Sequence, residues 1–200
     1  MTEEGQSILQ HDMKKLPENF TLERYGLQVR LVNEEDAEFI VSLRTDSRLS
    51  RYIHETSQSV EEQKQWIRNY KRREKEGLDY YFMFSVNDER QGVARIYDIT
   101  EDSFTQGSWV FSPDAVLGAS VLGNIISSEI GFEFLDKKVL YTDTRRDNHT
   151  HRYVQSFSPE IIKSDELDVY YRILPGNYNQ GKIKHIERAM KVMQVEKKEK

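Results

Sequence analysis

The segment Ser108-Trp-Val-Phe-Ser-Pro-Asp-Ala-Val-Leu-Gly-Ala-Ser120 passes from a strand-like stretch into a helix-like one. A helix start presents unpaired N–H groups and partial positive charge, which suits a diphosphate. Gly118, Ala119 and Ser120 are small, so an anion can approach the backbone closely. Taken alone the signal has little specificity, because helices after glycine-containing loops are common. His54, in Arg51-Tyr-Ile-His-Glu55, carries the side chain whose ordinary pKa best suits proton transfer near neutrality. A loop histidine without a role is the alternative. His149-x-His151 does not predict a metal site: at i and i+2 on a helix the two rings diverge, and no cysteine supports them. The absence of cysteine also removes disulfides and thiol nucleophiles, and fits a cytoplasmic protein.

The elements that must position these groups follow from spacing. Phe20–Gly26 and Leu27–Val32 alternate as two strand segments broken at Gly26, a hairpin or a bent strand. Asn33 reads as an N-cap before three acids, opening a helix that runs to Thr45. Ser59-x-x-Glu62 is a capping box for a second helix ending at Gly77, with Gln63, Trp66, Ile67 and Tyr70 on one face. Its Lys64, Arg68, Lys71, Arg72 and Lys75 read as a solvated face. Tyr80–Val86, Gly92–Tyr97 and Phe104–Phe111 are strands joined by short turns, hence an antiparallel meander. From Gly118 to Leu135 the apolar residues go most of the way round, predicting a largely buried helix. Strand Val139–Asp143, a short helix to about Phe157, and strands near Ile161-Ile162 and 167–173 complete the body. The strands on either side of the buried helix are expected to be parallel neighbours. The fold class is α/β of the α+β type: a mixed, mostly antiparallel sheet flanked by helices.

Three regions are expected: a flexible leader at 1–19, one domain at 20–174, and an amphipathic helix with a basic tail at 175–200. Ile183, Ile186, Met190 and Met193 recur at three, four and three. They either dock the last helix on its own domain or form a homodimer face. The 200 residues carry 37% hydrophobic and 11% aromatic side chains, enough for a core and against disorder. No apolar run spans a membrane and no secretory signal opens the chain, so no membrane is expected. Net charge is −5, and residues 182–200 hold seven Lys/Arg against three Glu, leaving −9 on the rest. An acidic body argues against nucleic acid as a partner.

In order and spacing these features resemble the GCN5-related N-acetyltransferase superfamily over residues 20–174. Leu27–Ile40 looks like its first strand and helix. Ser42-Leu-Arg-Thr-Asp46 and Gln65-Trp-Ile67 look like the branch with ribosomal-protein and amino-sugar N-acetyltransferases. Gly107–Pro113 looks like the strand before the cofactor loop, and Asp143-Thr-Arg-Arg-Asp-Asn148 like the strand end leading to a helix-opening Asn.

The resemblance implies an acyl-CoA N-acyltransferase fold and acetyl-coenzyme A (CoA) as co-substrate. The pantetheine arm would lie along Trp109, Val110 and Phe111, the diphosphate on the amides of Leu117, Gly118, Ala119, Ser120 and Val121, and Asn148 against the arm. Two departures stand out. Asp114 occupies the loop's start where a basic or amide residue is usual, and Gln155 stands where a Tyr is frequent, with Tyr153 nearest.

The implied reaction is direct attack by a primary amine on the thioester in a ternary complex, since no cysteine is present for an acetyl relay. Tyr153 is the candidate donor to the leaving thiolate, a packed core ring being its alternative, and His54 the candidate base. Arg44 and Arg95 are candidates to meet an anionic acceptor, with plain surface arginines as the alternative. The acceptor the resemblance implies is a nucleotide-linked amino sugar or another small-molecule or peptide amine such as a protein amino terminus. A silent member that binds CoA or a partner without turnover is the competing expectation.

Overall fold

The structure is a computed structural model that describes residues 13–49, 57–148 and 150–199. It begins with a hairpin of β1 (Thr21–Arg24) and β2 (Leu27–Leu31). Its turn residues Tyr25 and Gly26 have φ of 55° and 79°, the left-handed pair that matches strand twist in a two-residue loop. Asn33 then caps a short 3-10 turn, its side chain accepting from the Glu35 amide at 3.0 Å while Asp36 accepts from the Asn33 amide at 2.9 Å. Asp36 is fully buried and held by both Arg30 nitrogens at 2.7 Å, which offsets the cost of removing its charge from water.

Helix α1 (Ala37–Thr45) follows, and α2 (Val60–Glu76) starts where Ser59 Oγ accepts from the Glu62 amide and ends at Gly77 with φ 80°. Strands β3 (Asp79–Val86), β4 (Glu89–Tyr97) and β5 (Ser103–Phe111) form the meander. The turn between β3 and β4 is Asn87-Asp88, again with both φ positive. The buried helix divides into α3 (Ala119–Glu129) and a π turn over Ile130–Phe134, so it is not one regular helix to Leu135. After β6 (Val139–Arg145) come α4 (Thr150–Gln155), β7 (Glu160–Ser164), β8 (Asp168–Ile173) and α5 (Pro175–Glu199). The last helix opens at Pro175, where a missing N–H costs nothing.

Among the described residues, eight strands lie in one sheet in the order β1-β2-β3-β4-β5-β6-β8-β7, and β5 with β6 is its parallel pair. Helices α1 and α2 cover one face, burying Ile40, Leu43, Ile67 and Tyr70 against Tyr81, Met83, Val93 and Val110. Helices α3, α4 and α5 cover the other, where Phe82, Phe84, Ile96, Phe104 and Phe111 meet Leu122, Ile126 and Ile130. From α5, Tyr178, Ala189 and Met193 are buried in this second core, while Ile183 stays exposed. Within the stretch expected to be a leader, the Leu16 amide donates to the Tyr80 hydroxyl at 2.9 Å.

Candidate active site

The parallel pair is short. Ser103–Thr105 pairs with Val139–Tyr141, and beyond that point the two strands continue on separate partners. β6 stays with β8 as far as Arg145 opposite Asp168, and β5 stays with β4 as far as Phe111 opposite Gly92. A bulge contributes to the divergence. Arg95 sits opposite Gly107 but Val93 opposite Val110, so β5 carries an extra residue at Ser108-Trp109. Ser108 has φ of 48°, a left-handed backbone in a non-glycine residue, and such bulges bend the strand that carries them. Thr142 Oγ1 donates to the Gln106 carbonyl at 3.1 Å where the seam begins.

A cavity of about 500 Å³ occupies the opened seam. Arg44, Leu49 and Tyr97 line it from the α1/α2 side, and Ser120, Asn124 and Tyr153 from the α3/α4 side. Of the residues expected at a cofactor site, Trp109, Val110, Phe111, Ser120 and Asn148 line this cavity. The structure does not bring Leu117, Gly118, Ala119 and Val121 to its wall. They form the loop and first turn above it. The Ala119 amide is taken by the Val116 carbonyl at 2.9 Å. Gly118, with φ 89°, has its back against α5, where an added Cβ would stand 2.6 Å from the Ala189 carbonyl oxygen. Arg95 does not line the cavity either. It is bound to Asp79, with Nε to Oδ1 at 2.7 Å, and its guanidinium lies 4.7 Å from the Tyr97 ring centre. His54 and His149 lie outside the described residues. His151 is bound to the Tyr171 hydroxyl at 2.5 Å, and no cluster of three metal-ligating side chains occurs among the described residues.

Tyr153 donates to Asn124 Oδ1 at 2.9 Å, and its ring packs beside Trp109, Phe157 and His185. Burial pushes its phenol pKa well above the ordinary value, so it carries its proton at neutral pH. The Trp109 indole N–H donates to the Ser120 carbonyl at 3.0 Å, fastening the bulged strand to the first turn of α3. Asn148 Oδ1 accepts from the Thr150 amide at 3.0 Å and so caps α4. Asp114, the acid at the head of the loop, is gripped by Arg48 through two contacts of 3.0 and 3.1 Å. Its charge is thereby offset by a cation 66 residues away.

Tyr97, Asn124, Ser128, Thr142 and Asp143 also line the cavity and escaped the sequence reading. Alternation along a strand assigns faces, but it does not say which two strands part. In the sequence Asp143 reads only as the end of a strand.

A mixed sheet whose parallel pair parts to leave a cavity lined from both sides of the sheet is an acyltransferase-type architecture. Residues 27–156 match the family model described as acetyltransferase (GNAT) domain. The chain belongs to the GNAT family and is an N-acetyltransferase of that type. No curated protein matches the chain in sequence. Among solved structures it is similar to apo FdhC, a nucleotide-linked sugar GNAT, at 32% identity and a TM-score of 0.74, covering 84% of this chain and 97% of that one. The ribosomal-protein-S5-alanine acetyltransferase of Vibrio fischeri is 15% identical, with a TM-score of 0.64 over 80% of this chain and 99% of that one. RimJ of Mycobacterium smegmatis, solved in complex with CoA-disulfide, is 13% identical, with a TM-score of 0.65 over 83% and 93%. These two share the fold.

GNAT enzymes use acetyl-CoA and act on small-molecule or protein amines. The seam residues fit such a donor. Past Thr105 the inner edge of β5 leaves its ladder with β6, and α3 offers Ser120 and Asn124, and β6 Thr144, as uncharged polar groups. No helix among the described residues is long and apolar enough to cross a membrane.

Proposed function

We propose that the chain transfers the acetyl group of acetyl-CoA to a primary amine on a nucleotide-linked sugar, by direct attack within a ternary complex. The observation that carries this reading is the seam cavity between β5 and β6, walled on one side by α3 and α4 and on the other by α1. A thioester from one side and an amine from the other meet at such an opening without either crossing the sheet. The similarity to a nucleotide-linked sugar GNAT supports the acceptor class, since it extends over 84% of the chain.

Bound acetyl-CoA supplies an activated acyl carbon and a thiolate leaving group. Trp109, Val110 and Phe111 offer the strand edge for the pantetheine arm, and the carboxamide of Asn148 faces it. Ser120 serves the diphosphate from the first turn of α3, with Leu117, Gly118, Ala119 and Val121 beside it but off the cavity wall. Tyr153 holds a proton for the departing sulfur, exchanging Asn124 for that partner. Arg44 meets the acceptor's negative charge. Arg95, committed to Asp79, acts through Tyr97 instead. No cysteine is available for an acetyl relay, and the same absence suits a cytoplasmic setting.

The test is free-thiol release from acetyl-CoA with three amines: a nucleotide-linked amino sugar, the free amino sugar and a peptide amino terminus. Release with the first, faster than with the others, is expected. Tight CoA binding by calorimetry without thiol release from any of them overturns the transferase reading and leaves a silent binder. Preference for the peptide overturns the acceptor class.

A further inference from the structure

The acceptor side of the seam carries an acid, Asp143, with no part in the steps assigned to Tyr153 and Arg44. Val93 packs in the core under α1 and α2, and the Arg95 guanidinium lies 5.2 Å from the Trp66 ring centre, so Val93, Arg95 and Tyr97 face those helices. Leu140 faces the opposite core with Phe104, its register partner. Strand alternation therefore turns Tyr141 and Asp143 toward α1 and α2. The last paired residues of the seam are Thr105 and Tyr141. Two residues further along each strand, Gly107 and Asp143 stand on the same face, on opposite lips of the opening.

Gly107 has no side chain, and Tyr97 uses the space. A Cβ at Gly107 would lie 3.0 Å from the Tyr97 hydroxyl and 3.1 Å from its ring. Arg95, clamped by Asp79, lies over the same ring and fixes it. Burial first, and the Asp143 carboxylate second, hold the Tyr97 phenol above its ordinary pKa. It remains a neutral hydroxyl on the wall of the cavity that Asp143 also lines. Among the described residues, the other charged or titratable groups round Asp143 are Arg44 from α1, Tyr141 and Arg145 on β6, and Asp168 and Tyr170 on β8, Tyr170 being its register partner.

We infer that Asp143 is the carboxylate that receives the acceptor's ammonium group at this lip and takes its proton, with the Tyr97 hydroxyl orienting the nitrogen from the other lip. The inference rests on the acetyl-transfer reading. An alkylammonium is the main form of a primary amine at neutral pH, and it cannot attack a carbonyl until it loses a proton. One proton passes from nitrogen to Asp143 and on to water. The freed lone pair forms the C–N bond as the C–S bond of the acyl thioester breaks. A second nitrogen proton ends on the sulfur by way of Tyr153. The products are amide, thiol and one released proton. The ligand class is thus a cationic amine next to an anionic group that Arg44 can meet.

The test uses the full chain, acetyl-CoA and a nucleoside-diphosphate-linked 4-amino sugar, with the free amino sugar and a peptide as further probes. Asp143→Asn is expected to lower kcat/KM about 100-fold, to lose the acid limb of the pH profile, and to leave the Kd for CoA unchanged. Asp143→Glu is expected to restore part of the rate. Tyr97→Phe should raise KM for the amine more than it lowers kcat. Wild-type turnover with Asp143→Asn within about threefold of it and on the same pH profile overturns the role of Asp143 alone. A wild type that turns over none of the probes overturns the transferase reading and this inference together. If Asp143→Asn loses CoA binding as well, Asp143→Glu decides: recovered turnover supports the role, and none despite normal CoA binding overturns it.

Discussion

The Tyr153 phenol donates to the side-chain oxygen of Asn124 across 2.9 Å, tying α4 to α3 beside the open seam. Tyr153→Phe keeps the ring and removes the donor, leaving the Asn124 oxygen without its partner in a largely buried place. The expected cost is about 1–3 kcal/mol, seen as a lower urea midpoint with an unchanged slope. In turnover the same variant should lose about 100-fold in kcat, with CoA affinity preserved. An unchanged kcat beside the lower midpoint would leave Tyr153 as a structural tie between the two helices and nothing more.

Glu129 is 1% exposed and accepts from three groups: Arg24 at 2.7 Å, the Tyr25 hydroxyl at 2.9 Å and Lys182 at 2.6 Å. It joins the first hairpin, α3 and α5 in one clamp. Glu129→Ala should cost about 3 kcal/mol, the low end for breaking a buried ion pair, because Arg24 and Lys182 keep some access to water. Lys182→Ala should cost less, and the double variant should fall short of the two effects added together. Strict additivity in denaturant unfolding would mean that the clamp does not act as a unit.

His185 on α5 packs against Tyr153 and Phe157, and burial, then Arg188, pulls its pKa below 6.5. The unfolded chain takes up that proton more readily than the folded one. Stability linked to His185 is therefore complete above about pH 6.5 and drains away as pH falls toward the depressed folded value. Wild type should lose stability between pH 7.5 and 5.5, and His185→Gln should lose less over the same interval. Equal losses in the two proteins would remove His185 as the source.

Most of the fold was legible because its signals are local. Gly26, Asn87-Asp88 and Gly77 adopt left-handed backbone where the sequence breaks its periodicity. Asn33 and Ser59 cap the helices they precede. The buried helix announced itself by apolar residues on nearly every side, and its position between two strands required a parallel crossover. Its ending was not legible. The switch to a π turn at Ile130 coincides with the close packing of Gly131 on Phe104, where an added Cβ would stand 2.3 Å from the ring.

The amino-acid order alone determined which segments bend, coil or extend, and which face of each is apolar, because dihedral preference and capping act within a few residues. Tertiary structure decided the chemistry. Partnership across 36 positions, as between the Thr142 hydroxyl and the Gln106 carbonyl, or across 66, as between Arg48 and Asp114, depends on how distant elements pack. That packing parts β5 from β6 after one short ladder, sets Tyr97 over a bare Gly107, and brings Asp143 to the wall of the same cavity.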